Sequence, residues 1–531
     1  MEVTTLDPAA RPRPGRDWEG LGIAKLLGLP LKDWSLYALL IAVPGIPVLF
    51  TVLAALRPSA SFDHIAHVLL GEMALTSLAL LVLATLGATI LGVIAAWFVT
   101  AYQFWGRTVL SWALALPLAM PAYVAAYAWG DLTGARGFWI ATLVYVTTLY
   151  PYVYLAARSA FEAQSVCALE AARLLGAGAW KRFFTVAMPL ARPAIAAGAA
   201  LTGLEIAADY GAADHLGVST LTIGVFRAWF SMGDLAAAAR IACLLLVGVL
   251  FLVWLERKSR AGLVSGGSTR WRTPQRAPVS GIFQVLITGF CFVILTMGLV
   301  IPVLHLTNLA IASGLPERAL SKPLAATALL CTLGASATLV LAGLSAFVGQ
   351  RSAQASAFVR AVSLAGYATP GAVTALGILA ALALSGSHVV AALSGPLAIV
   401  TLCYAYAARF TAAGLEPLSA GLEKSTRSMR ESAQTLGASR IKRFLTLEAP
   451  LAAPSAFAAA LIVAVEISKE LPATTILRPF GFDTLAVRAH AYAADERLGA
   501  AAWPALAIVL VALIPTLLFS HGLAKSRAGQ L

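Results

Sequence analysis

The fold class this sequence predicts is an all-α polytopic membrane protein, two tandem six-helix halves related by a pseudo-twofold axis along the membrane normal. Three observations predict it. The 531 residues are 60% apolar and 12% charged, with a mean hydropathy of +0.83, whereas soluble domains carry roughly 25% charged residues. Apolar runs of about 20 residues recur, the length a helix needs to cross a bilayer and too long for barrel strands. Finally, one stretch occurs twice. Glu170-Ala-Ala-Arg-Leu-Leu-Gly176 with Trp180-Lys-Arg-Phe-Phe-Thr-Val-Ala-Met-Pro189 returns as Glu431-Ser-Ala-Gln-Thr-Leu-Gly437 with Ile441-Lys-Arg-Phe-Leu-Thr-Leu-Glu-Ala-Pro450, displaced by 261 at every position. Because each half holds an even number of spans, both insert with the same orientation, and the pathway is expected between them.

Residues 1–34 hold Arg11, Arg13, Arg16, Lys25 and Lys32 but no short apolar core with a cleavage site, so they read as a retained cytoplasmic tail. The first half, 35–255, has apolar runs near 35–56, 73–101, 108–130, 137–158, 191–211 and 235–255. A linker, 256–280, mixes Arg257, Lys258, Arg260, Arg270, Arg272 and Arg276 with Gly, Ser and Pro, the composition of a flexible connector. The second half, 281–522, has runs near 281–310, 324–349, 359–384, 391–413, 451–471 and 503–522, before a tail at 523–531. The net charge of +13 comes from Lys and Arg crowded into the tails, the linker and the duplicated stretches. That is the positive-inside signature of membrane orientation, not a nucleic-acid surface. Both termini and both duplicated stretches of this multi-pass protein are therefore expected in the cytoplasm. Pro117, Pro121 and Pro370 fall inside apolar runs, where proline kinks a helix.

Each duplicated stretch reads as a helix-turn-helix hairpin, at about 161–190 and about 420–451. Gly176 and Gly437 supply the positive-φ turn, and Pro189 and Pro450 open the next helix. The pattern resembles the EAA loop of bacterial ABC importer permeases: Glu-Ala-Ala, three residues, Gly, nine residues, Ile-x-Leu-Pro. Val186 and Met188 depart from it in the first copy, and Ser432, Leu447 and Ala449 in the second. The resemblance implies a MetI-like fold in which Glu170, Ala171, Ala172, Gly176, Pro189, Glu431, Ala433, Gly437 and Pro450 seat against two ATP-binding-cassette subunits. Lys181, Arg182, Lys442 and Arg443 would flank that contact or anchor to membrane lipid. No Gly-x-x-x-x-Gly-Lys-Ser/Thr loop occurs in the chain, so ATP and Mg would be bound by the partners, and no cofactor or enzymatic activity is expected here.

Glu205 and Glu466 share the 261 offset, as do Asp209 and Glu470. A rise of 1.5 Å per residue puts Glu205 roughly 18 Å and Asp209 roughly 24 Å beyond Pro193. Ionisable groups at such depth tend to face a cavity. Four apart, they would share one helix face, and two such faces would form an acidic funnel suited to a hard cation. The alternative is that they pair with Lys469, Arg227 or Arg488 and fix helix positions. No metal site is assigned: His64 and His67 have only Asp63 beside them, and the five cysteines are scattered.

The segments Leu116–Tyr127, Ala208–Gly211, Ser219–Trp229, Lys469–Thr474 and Arg478–Ala486 resemble the fused permeases of ferric-iron importers. That likeness implies Fe(III) delivered by a periplasmic substrate-binding protein. Thiamine, polyamine and phosphonate permeases share the scaffold and remain alternatives. An ion-coupled secondary carrier of six-plus-six type is the competing class, but it leaves the duplicated hairpin unexplained.

Overall fold

The computed structural model describes residues 34–164, 172, 174–176, 178–260, 276–314, 320–350, 352–384 and 395–526. Ten helices are long and apolar enough to cross a membrane, and two bent helix pairs bring the total to twelve. In the first half, α1 is Trp34–Ala55 and α2 Leu70–Ala101; α3, Arg107–Ala113, runs on through a 3-10 turn to Ala119. Then come α4 Ala122–Thr133, α5 Phe138–Ala163, α6 Met188–Ala208 and α7 Leu235–Arg260. In the second half, α8 Gly281–Leu295 and α9 Ile301–Ala312 form one span, followed by α10 Ser321–Gly349, α11 Ala353–Ala368 and α12 Gly371–Leu384. The chain closes with α13 Pro396–Glu423, α14 Arg427–Thr435, α15 Ala449–Ser468 and α16 Leu498–Ser526. Among the described residues, the one departure from all-α structure is a parallel bridge in which Tyr102 and Gln103 pair with Ala277 and Pro278.

The third and ninth expected spans, 108–130 and 359–384, are not straight. The chain turns by 92° between α3 and α4 and by 94° between α11 and α12. Pro121 and Pro370 stand at these corners. A proline N donates no hydrogen bond, so the helix before it cannot continue its ladder. Both pairs nevertheless cross the bundle, because the helices around each of them run parallel. Gly92 of α2 lies against Tyr150 and Val153 of α5, while Trp97 near the end of α2 meets Phe161 near the end of α5. In the second half, Gly334 of α10 meets Tyr406 of α13, and Ala342 meets Gly414.

Each half has a three-helix centre, α2 with α5 and α6, and α10 with α13 and α15. The first span of each half does not complete its own bundle. Helix α1 packs mainly on α12 and α7: Thr51 Oγ1 donates to the Val373 carbonyl at 3.1 Å and Tyr404 Oη to Val43 at 2.8 Å. Correspondingly, α8 and the turn joining it to α9 lie on the first half, where Gly298 faces the Thr147 carbonyl and Trp129 Nε1 donates to Met297 at 3.3 Å, while α9 packs between α4 and α16. With no hydrophobic drive between helices in lipid, such seats depend on close approach through small residues.

Asp234 stands just before α7. Its carboxylate accepts from Ser59 Oγ at 2.6 Å, Ala237 N at 2.9 Å and Ser61 N at 3.2 Å. Desolvation pushes its pKa up, but these hydrogen bonds outweigh it and hold the group below the usual carboxylate value. A depressed pKa adds stability that is complete above the ordinary carboxylate range and disappears as pH falls through the folded-state value. Asp234→Asn is therefore expected to lower Tm at neutral pH and leave it nearly unchanged at acid pH, which flattens the acid limb of a Tm-against-pH curve.

Candidate translocation path and coupling hairpins

Helices α6 and α15 are entered in the same way. A single π-turn, Phe183–Ala187 or Phe444–Glu448, precedes Pro189 or Pro450. The proline removes one donor from the ladder, and a wider turn accommodates the gap. Thr185 Oγ1 to Lys181 O (2.6 Å) and Thr446 Oγ1 to Lys442 O (2.7 Å) repeat across the copies.

In the second hairpin, α14 is capped by Thr426, and Gly437 turns with φ +76°; Gly176 turns with φ +78°. Glu431 and Ala433 lie on α14, and Ala172 is helical. Glu170 and Ala171 lie outside the described residues. Arg443 is not a free surface cation, since its Nε donates to the buried Glu448 at 3.1 Å. Leu175 and Leu436 occupy equivalent positions and are 87% and 86% exposed. Large apolar side chains thus stand well out into the surroundings at matching places in the two repeats.

At the far ends of α6 and α15 the four carboxylates converge on one cavity of about 100 Å³ between the halves. The shared helix face expected for each pair is not present. Helix α6 ends at Ala208 and α15 at Ser468, so Asp209 and Glu470 lie past the helix ends. Both instead cap the short helices that follow. Asp209 accepts from Ala212 N and Tyr145 Oη, each at 2.9 Å. Glu470 accepts from Ala473 N at 3.0 Å, Thr474 N at 2.9 Å and Thr474 Oγ1 at 2.6 Å.

Glu205 and Glu466 remain in their helices and face the cavity. Tyr367 Oη of the second half donates to Glu205 at 3.1 Å, and Tyr152 Oη of the first at 3.4 Å. Lys469 pairs with Glu466 at 2.9 Å, one of the partners the sequence nominates. Arg488 is engaged with Asp483 instead. Sequence reasoning missed Arg409, which pairs with Glu470 at 3.0 Å and lies 5.0 Å from the Phe410 ring centroid. Its position inside an apolar span was the available signal. The cavity is thus not purely acidic: two cations stand among four carboxylates, and tyrosine hydroxyls and backbone N–H groups supply most of the neutral donors. Among the described residues no three His, Cys, Asp or Glu side chains gather as a metal-ligand group.

On the side of the cavity away from the hairpins, the halves meet again. His490 Nε2 lies 3.2 Å from Asp214 and its Nδ1 3.1 Å from Tyr127 Oη. His215 packs on Tyr127; burial, then Arg136 and His490, lower its pKa to about 4, so it is neutral near pH 7. Together these features describe a small polar cavity closed by contacts between the halves, with matched projecting hairpins on one side of it.

The sequence profile described as "Binding-protein-dependent transport system inner membrane component" matches residues 88–261. The chain is 25% identical over 496 residues to the Fe(3+)-transport system permease protein FbpB 2 of Haemophilus influenzae, covering 91% of this chain and 97% of the relative. It is 30% identical over 216 residues to the molybdenum transport system permease protein ModB of Escherichia coli, covering 36% of this chain and 94% of ModB. It is 31% identical over 189 residues to the sulfate transport system permease protein CysT of Escherichia coli, covering 31% of this chain and 67% of CysT. The chain belongs to the family of inner-membrane permease components of binding-protein-dependent transport systems.

Proposed function

We propose that this permease couples ATP hydrolysis on two separate subunits to import of ferric iron, with one hairpin docked on each subunit. The paired hairpins, with Leu175 and Leu436 projecting at equivalent places, are the observation that carries this reading. Residues 35–255 and 281–522 act as the two permease halves, with both termini and both hairpins in the cytoplasm. Closure of the ATP-binding subunits draws the hairpins together and rotates the halves. The Tyr367 to Glu205 contact then parts, and the cavity opens toward the periplasmic binding protein. Ferric iron is favoured because the iron-permease relative aligns along nearly the whole two-half chain. Glu205, Glu466, Asp209 and Glu470, with the tyrosine hydroxyls, offer oxygen ligands of the kind a hard cation prefers.

Lys469 and Arg409 in the same cavity support a second reading, an oxyanion substrate. The molybdenum and sulfate permease relatives agree with it.

Two experiments test these points. Gly176→Pro with Gly437→Pro is expected to abolish copurification of a nucleotide-binding subunit while the chain still inserts in the membrane. Retained copurification, or ATP-independent transport in liposomes, overturns the coupling. Uptake assays with ferric iron and molybdate, in Glu205→Gln and Lys469→Met backgrounds, decide the substrate. Losing only iron uptake in Glu205→Gln supports the first reading, and losing only molybdate uptake in Lys469→Met supports the second.

A further inference from the structure

The two halves differ at the hairpin end of their bundles. In the first half the space beneath the hairpin is filled. Trp97 packs edge-on against Phe161 at 5.5 Å and against Phe183 at 5.1 Å. Tyr154 Oη donates to the Ser111 carbonyl at 2.6 Å, and Arg158 donates to the same oxygen while pairing with Glu162 at 2.9 Å. Gln164 Nε2 closes the set on Ala187 O at 2.7 Å. The offset from Pro121 to Pro370 is 249 and that of the hairpins is 261. By these offsets Trp97, Tyr154, Arg158, Phe161 and Gln164 become Ala346, Leu415, Ser419, Leu422 and Ser425. Every one is smaller, and a cavity of about 320 Å³ stands where, among the described residues, these first-half side chains pack and hydrogen-bond.

What replaces the lost groups is equally specific. Ser111 becomes Arg360 and Leu169 becomes Arg430, while Glu162 is retained as Glu423 without its arginine. All three line the cavity. Ser425 is 1% exposed, lines the same space, and its Oγ has no hydrogen-bond partner among the described residues. Burying a hydroxyl unpaired is costly, so the position is built for an occupant that accepts from it. The cavity lies where α10 and α13, two of the helices long and apolar enough to cross a membrane, come to their ends. Its apolar side is made by Val359, Leu415 and Leu422, and its polar side carries Arg430, Glu423 and Arg360, the last also paired with the exposed Glu416 at 3.3 Å.

We propose that this cavity seats the headgroup of an aminophospholipid. The phosphate lies between Arg430 and Arg360 and accepts from Ser425, and the ammonium turns toward Glu423. Charge complementarity selects this occupant. A phosphate alone leaves Glu423 unanswered, and a trimethylated amine cannot donate to it.

The test uses the full chain, delipidated in detergent, with phosphatidylethanolamine, phosphatidylcholine, phosphatidylglycerol and soluble phosphoethanolamine as probes and native mass spectrometry as the readout. Phosphatidylethanolamine is expected to bind best. Arg430→Ala removes one charge-assisted phosphate contact and weakens binding roughly tenfold, and Ala346→Trp, which restores the first half's plug, removes the site. Should Ala346→Trp fail to fold, Arg430→Ala and Glu423→Gln carry the test. Equal binding of phosphatidylethanolamine by all variants, or equal affinity for phosphatidylcholine, overturns the proposal. Displacement by soluble phosphoethanolamine at matched concentration overturns the lipid source. If Ala346→Trp sheds a nucleotide-binding subunit without changing lipid binding, the occupant is a side chain of that subunit and the lipid assignment fails.

Discussion

Lys469→Met is expected to destabilise the chain by about 3 kcal/mol or more, the usual cost of removing one member of a buried ion pair. The Lys469 and Glu466 side chains are each only 16% exposed and lie 2.9 Å apart. Glu205 faces the same cavity, with two tyrosine hydroxyls as its hydrogen-bond partners. Taking the ammonium away leaves Glu466 charged and buried with no compensating partner. A second variant separates the electrostatic cause from simple loss of packing. Glu466→Gln combined with Lys469→Met removes both charges and is expected to recover most of the lost stability, because neutral pairs of similar shape often replace buried ion pairs at little cost. Thermal unfolding in detergent and yield of membrane-inserted chain measure both. A single variant as stable as the parent would show that the pair does not hold the closed cavity together.

The second large effect concerns the seat of α1 on α12. A Cβ added at Gly377 would lie 1.8 Å from the Pro47 carbonyl oxygen and 2.5 Å from its carbon. Both are backbone atoms, so no side chain can swing aside. Gly377→Ala is expected to cost about 3 kcal/mol or more, at or above the upper range for overpacking, and to push α1 off its site. Gly343 is the control: it lies within α10 and a Cβ there meets nothing within 4 Å. Gly343→Ala should be neutral or stabilise the helix by up to about 1 kcal/mol. Tm values report the opposite signs. A disulfide between Thr51→Cys and Val373→Cys, efficient in the parent and lost with Gly377→Ala, reports the displacement itself.

The spans were legible because apolar length is a one-dimensional property: each expected run has its helix or bent pair. The corners at Pro121 and Pro370 were visible as residues, though not their near right angles, which depend on what α4 and α12 pack against. The hairpin turns at Gly176 and Gly437 were readable from the repeat and φ chemistry. Asp209 and Glu470 were misplaced because four-residue spacing suggests a common helix face, whereas the helices stop first and the carboxylates satisfy the free N–H groups of the next helices. Arg409 and the tyrosines around Glu205 escaped because no local pattern joins residues brought together from four different helices. The crossing of α1 and α8 to opposite halves was hidden for the same reason.

That crossing has a consequence for biosynthesis. Thr51 and its acceptor Val373 are 322 positions apart. At a synthesis rate of roughly 10 residues per second, α1 stands in the bilayer for on the order of half a minute before its partner emerges from the ribosome. During that interval its helix faces lipid or an insertion factor on the side destined for Gly377, so a truncated first half on its own should be recognised as unfinished and degraded.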